Sequence, residues 1–313
     1  MSGISIEIPL YEMTGFYDDP KKLIRPPRGI EFMLYSGYPG SPLNGGRSNG
    51  KVDDKRFQIT EFKCIESKEE NLQNLKRLQD YFIDCIKRVN REGISMQLAY
   101  SNYFCIDSEF NDKNAEPIRE MLYIGKKAGV MNRFIVANNR IEDWIQSIGA
   151  SKEQLVSSCT RFYFPDKKLD RDDRLAAYHK AAEDYGIVVL TPPDSNSPDQ
   201  LSRLKKEDLP KMAAVINSPC VEDCNSYWHY ATHSLWNIVT GADISNPQYT
   251  EFLRQYKEII KRNDNSCSRE FNPLNLKEKV NMLLSNGIRI LKIARGHSQE
   301  ILDNLLESLP EGK

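Results

Sequence analysis

Two cysteines and a histidine fall in one short run, Asn217-Ser-Pro-Cys220-Val-Glu-Asp-Cys224-Asn-Ser-Tyr-Trp-His229-Tyr230. The run follows Met212 to Ile216, an apolar stretch that reads as a buried strand. Thiolates four residues apart, just past a strand end, can close on one metal ion or one iron–sulfur cluster. The His229 imidazole and the distant Cys267 are candidates to complete such a set. Four thiolates would make an electron-transfer or structural cubane, and three would leave one iron open to a substrate. A Cys/Cys/His set suits zinc equally well. Cysteines beside a loop also pack as small hydrophobes. The thiols alone therefore leave iron–sulfur, zinc and no metal open. Cys220-x-x-x-Cys224-x-x-Tyr227 is one thiol short of a radical-SAM triad and follows a late strand rather than the first, so that chemistry is not expected.

Other polar groups stand at the ends of apolar runs. Arg47, Lys292 and Arg295 together would make an anion-binding rim for a phosphorylated or carboxylated substrate. Asn102 and Asn138 could orient that substrate. The plainer role for an asparagine there is to cap a helix or fix a turn. His179 reads as a partly exposed helix residue. His233 is four residues after His229, but no Glu follows His229 as a zincin helix requires.

These groups converge only if the fold gathers strand ends. Apolar runs that read as strands alternate with helical spacing along the chain. The strands are Ile30–Tyr35, Ile94–Tyr100, Arg133–Ala137, Gln154–Cys159, Ile187–Leu190, Met212–Ile216, a weak element near Cys267–Phe271, and Ile288–Ile293. Helical patterns cover 69–91, 114–127, 140–147, 170–184, 200–206, 249–261, 275–285 and 299–309. Strand–helix alternation implies a parallel sheet, because a crossover helix must return the chain before the next parallel strand. Eight such steps suit a (β/α)8 TIM-type barrel, irregular at its seventh strand. The rival doubly wound sheet would show a G-x-G-x-x-G turn after its first strand, and Ser36 to Arg47 does not spell one. Residues 1–28 read as an irregular leader and 29–313 as one barrel domain.

Two blocks resemble a known family. The run from Val215 to Tyr230 is similar to the strand-end motif of the so-called peptidase U32 family, in which an Asn precedes a Cys, a second Cys follows four residues later and a His comes soon after. Gly287-Ile-Arg-Ile-Leu-Lys292-Ile-Ala-Arg295-Gly296 is similar to that family's late strand, with Gly and Arg transposed. Gly93 to Asn102 resembles an early strand ending in Asn. The resemblance implies a TIM barrel holding a [4Fe–4S] cluster on four cysteines, serving oxygen-independent hydroxylation of tRNA bases or of a quinone precursor. It carries Cys220 and Cys224 onto the adjacent ligand pair and Cys267 onto a later ligand. Cys159 is the candidate fourth ligand by position, Cys105 comes second, and His229 is a departure that could fill the place.

Composition narrows the classes. With 313 residues and 40% apolar content the chain can bury a large core. A net charge of −1 provides no basic field for nucleic acid or anionic membrane, so tRNA enters only through the resemblance. No apolar run has the length of a membrane span. The start, Met1-Ser-Gly-Ile-Ser-Ile-Glu-Ile-Pro-Leu10, lacks the basic region and apolar core of a signal peptide, and seven cysteines make a poor disulfide framework. A cytoplasmic protein is expected. The reading is an iron–sulfur redox enzyme acting on an anionic small molecule or biosynthetic intermediate. A zinc-dependent lyase or hydrolase using Cys220, Cys224 and His229 is one alternative. The other is a non-catalytic, metal-stapled subunit that pairs with a second barrel.

Overall fold

A computed structural model of the chain describes residues 3–10, 26–44, 69–163, 170–218, 220, 246–255, 275–294 and 298–309. Eight strands close into a ring: β1 (Ile4–Pro9), β2 (Ile30–Ser36), β3 (Ser95–Tyr100), β4 (Arg133–Val136), β5 (Leu155–Ser157), β6 (Ile187–Val189), β7 (Met212–Val215) and β8 (Ile290–Lys292). All neighbours are parallel. The helices are α1 (Glu69–Arg91), α2 (Asp112–Ala128), α3 (Asn139–Ile148), α4 (Arg171–Asp184), α5 (Pro192–Ser195), α6 (Pro198–Ser202), α7 (Pro247–Gln255), α8 (Leu276–Ser285) and α9 (Ser298–Ser308). None of the described helices is long and apolar enough to cross a membrane.

The barrel has eight strands as the alternation predicts, but they are a different eight. The segment 1–28, read as a leader, contains β1, which closes the ring through Ser5↔Ile290, Ile6↔Leu291 and Glu7↔Lys292. The weak element near Cys267–Phe271 lies outside the described residues. The ring closes without it, because β7 pairs directly with β8 through Val215↔Lys292.

Alternation along each strand divides the core into two layers. Ile6, Ile8, Phe32, Leu34, Leu98, Phe134 and Val136 join the buried faces of the helices in one large cluster. Met33, Tyr35, Ile135, Val156, Val189, Val215 and Ile290 fill the inside of the ring in a second. Helix α1 meets the outer layer with Leu75, Leu78, Phe82, Cys85, Ile86 and Val89, the stripe its 3.6-residue spacing predicts. Gly93 follows at φ 79°, a left-handed turn that a side chain would strain.

Candidate functional site at the barrel mouth

In a parallel barrel the loops after the strands gather at one end, and polar groups at the strand ends meet there. Lys292 is the last residue of β8 and points into the ring, in register with Glu7 of β1. Its ammonium pairs with the Glu7 carboxylate, which has no exposure to water, while 12% of the Lys292 side chain remains exposed. Gln97 Nε2 donates to Glu7 Oε1 at 3.2 Å. The Lys292 ammonium also lies 3.6 Å from the centre of the Tyr35 ring, and the Tyr35 hydroxyl donates to the Ile293 carbonyl at 2.7 Å. A carboxylate this deep is tolerated only when paired and hydrogen-bonded. Glu7 thus holds the Lys292 side chain in place, and the ring of Tyr35 supports it from the side. Lys292 was legible as an anion-binding candidate. Glu7, Tyr35 and Gln97 were not, although one acid in the alternating run Ile-Ser-Ile-Glu-Ile-Pro was a signal.

The asparagines named for substrate orientation have other work. Asn102 donates from Nδ2 to the Pro42 carbonyl at 2.8 Å, and its Oδ1 accepts from the Phe104 amide at 3.1 Å. Asn138 caps α3, accepting from the Ile141 amide at 2.9 Å. Its Nδ2 reaches the carbonyls of Asn102 and Tyr103 at 3.3 and 3.2 Å. Both side chains are engaged with backbone that ties the loops after β2, β3 and β4 together, the plainer role the sequence also allowed. Asn217 continues the β7–β8 ladder in the same manner, donating to the Ala294 carbonyl at 2.9 Å and accepting from its amide at 2.6 Å. Asp194, beyond β6, takes a bidentate grip from Arg174 at 2.7 and 2.8 Å and accepts from the Tyr178 hydroxyl at 2.7 Å.

The thiols divide by environment. Cys85 and Cys105 are buried in the outer core. Burial pushes the Cys85 thiol up to about 11 and raises that of Cys105 as well. Cys105 donates to the Asn102 carbonyl at 3.2 Å. Cys159 and Cys220 are half-buried, in the loops after β5 and β7, and Cys159 packs on the inner layer. Asn196, after α5, donates from Nδ2 to the Cys220 carbonyl and accepts through Oδ1 from the Lys279 ammonium, which also donates to the Ser195 carbonyl. Lys279, in the first turn of α8, was missed at the sequence level because it matches no motif. Burial pulls its ammonium down to about 7, with Cys220 opposing the shift.

Arg47, Cys224, His229, Cys267 and Arg295 lie outside the described residues, as do Tyr227, Trp228, Tyr230, His233 and His297. Among the described residues no three His, Cys, Asp or Glu side chains form a metal-binding group. Cys159 and Cys220 stand in loops beyond the carboxyl-terminal strand ends, whereas Cys85 and Cys105 are buried among apolar side chains. His179 has a structural role, with Nδ1 2.7 Å from Asp208.

No family model matches the chain, and no curated protein matches it. The solved structure titled "The Structure of the U32 Peptidase Mk0906" is similar to it at 11% sequence identity and a TM-score of 0.46, over 95% of this chain and 94% of that one.

Proposed function

We propose that this barrel is a redox enzyme whose active site is the mouth at the carboxyl-terminal strand ends, and that its substrate is an anionic small molecule. The observation that carries the proposal is the Lys292 ammonium, anchored inside the ring by the fully buried Glu7 carboxylate. An ammonium has three N–H donors, and an ion pair with one carboxylate leaves donors for a substrate carboxylate or phosphate. Gln97 orients Glu7, and Tyr35 limits the swing of the lysine. The cation is preorganised, so little reorganisation accompanies the arrival of an anion.

The redox part of the reading rests on the thiols. Cys220, Cys224 and Cys267, with Cys159 as the fourth, would hold an iron–sulfur centre, which supplies one-electron transfer when bound. The half-buried setting of Cys159 and Cys220 supports this choice over the apolar setting of Cys85 and Cys105. The test is metal and sulfide analysis after anaerobic purification. The wild type is expected to carry about four iron and four sulfide per chain with a brown colour, and Cys220→Ala to lose most of both. Colourless protein with stoichiometric zinc, or protein with neither iron nor sulfide, would overturn the redox assignment.

A further inference from the structure

The opposite end of the barrel holds a cavity of about 440 Å³, lined by Ser5, Glu31, Met33, Arg133, Lys206, Arg289 and the backbone of three glycines. Its walls carry three cations against one carboxylate. Arg133 enters from β4, Arg289 from the turn before β8 and Lys206 from the loop before β7. Among the described residues none of the three forms an ion pair. Arg133 Nη1 has the Met131 carbonyl at 3.5 Å and the Met33 sulfur at 3.8 Å, both at the limit of a hydrogen bond, and its buried Nε has no partner. Arg289 Nη1 donates to the carbonyls of Leu284 and Ile288 at 2.6 and 3.1 Å. That holds the guanidinium in place while Nη2 and Nε keep their donors. Glu31 is exposed; its carboxylate accepts from the Ser5 hydroxyl at 3.4 Å and makes no direct ion pair with Arg133, although its charge and that of Glu7 act on the guanidinium.

Two glycines of the rim stand where no side chain fits. Gly287 has φ 88°, and a Cβ there would meet Leu209 at 2.7 Å. A Cβ on Gly186 would meet the Glu153 carbonyl at 2.2 Å. Met33 closes the inner end, contacted by Gln97 from above at 3.6 Å and by Arg133 from below at 3.8 Å. The cavity is therefore separate from the mouth. A buried guanidinium N–H without a partner, such as Arg133 Nε, is costly unless an acceptor reaches it. The forked geometry of arginine matches the two oxygens of a carboxylate or phosphate.

We propose that the amino-terminal end of the barrel is a second ligand site, taking a small organic or inorganic oxyanion between Arg133, Arg289 and Lys206. A volume of about 440 Å³ admits a metabolite-sized molecule rather than a lone ion. Bound there, it would tie the turn before β8 and the loop before β7 to β4 across the end of the ring, and so act as a stabilising effector.

Calorimetric titration of the full chain with pyrophosphate and, separately, citrate tests this, against sodium chloride at matched ionic strength. Saturable binding by at least one probe is expected. It should weaken about tenfold in Arg289→Gln and in Lys206→Glu, the latter an exposed change that does not endanger folding. It should tighten in Glu31→Gln, because the competing carboxylate is gone. Cys220→Ala at the mouth should leave it unchanged. Binding that follows ionic strength alone, that is indifferent to Lys206→Glu, or that is lost in Cys220→Ala would overturn the proposal. If Glu31 were instead the resident counter-ion, Glu31→Gln would lower the melting temperature without tightening either probe, and that also would overturn it.

Discussion

Lys279 is an unusual lysine for its position in the first turn of a helix. The amide ends of α8 disfavour a cation there, and burial pulls the ammonium down to about 7. Cys220 opposes that shift, and the oxygens of Ser195 and Asn196 accept from the ammonium. A folded-state value below the ordinary lysine range means that the unfolded chain holds the proton more tightly. Stability should therefore rise with pH from about 7 towards about 10.5 and be flat below that window. Urea unfolding of the wild type and Lys279→Met at pH 7.5 and 9 measures this. The stability difference, wild type minus variant, should grow by roughly 1 kcal/mol between the two, less than full titration because the head is partly in water. A difference that stays constant would mean that the two carbonyls hold the lysine charged throughout. The same comparison of environments separates the thiols. Cys85 and Cys105 are buried in the outer core, while Cys159, against the inner layer, and Cys220 are half-buried. Their residue type, which is all a sequence shows, is the same.

At the level of elements, the seam between β1 and β8 joins the fold to the site. Glu7 and Lys292 face each other across it, 285 positions apart in sequence. Removing one partner of a buried pair strands the other, so Lys292→Met should cost roughly 3–5 kcal/mol. Glu7→Gln combined with Lys292→Met should cost clearly less than the sum of the single changes, with a coupling of roughly 2 kcal/mol by equilibrium denaturation. Additive losses would show that the two side chains stabilise independently. This seam also marks the limit of what the sequence disclosed. Helices α1, α2 and α3 were readable almost to their ends because apolar residues recur on one face, with Gly93 and Gly129 closing the first two. The strand Ile4–Pro9 was hidden because it ends in proline and is separated from the next strand by twenty residues rich in breakers. The strand-end asparagines were visible as polar groups in the right places. Whether Asn138 faces a substrate or the Ile141 amide depends on a partner three residues away and on the loop it crosses, which spacing does not specify.

For the molecule as a whole, closure is what makes one short amino-terminal strand indispensable. In an open sheet, loss of an edge strand uncovers one neighbour. Here β1 pairs with β2 over six positions and with β8 over three, so its loss opens the ring on both sides at once. Two strand edges would be left unpaired, the inner face of Met33 and Tyr35 would meet water, and Lys292 would lose its carboxylate. The intact ring is expected to melt in one cooperative transition; a chain lacking residues 1–10 should show none and bind a hydrophobic dye at ambient temperature, rather than melt a few degrees lower. A synthetic peptide spanning Gly3–Leu10, added in excess, should restore part of the transition, because both docking edges survive in the remainder. If the truncated chain melts cooperatively within a few degrees of the wild type, the ring is not the cooperative unit. The mouth could then not depend on Glu7 to hold its lysine, and the proposed anion site at Lys292 would have to be abandoned along with the closure argument.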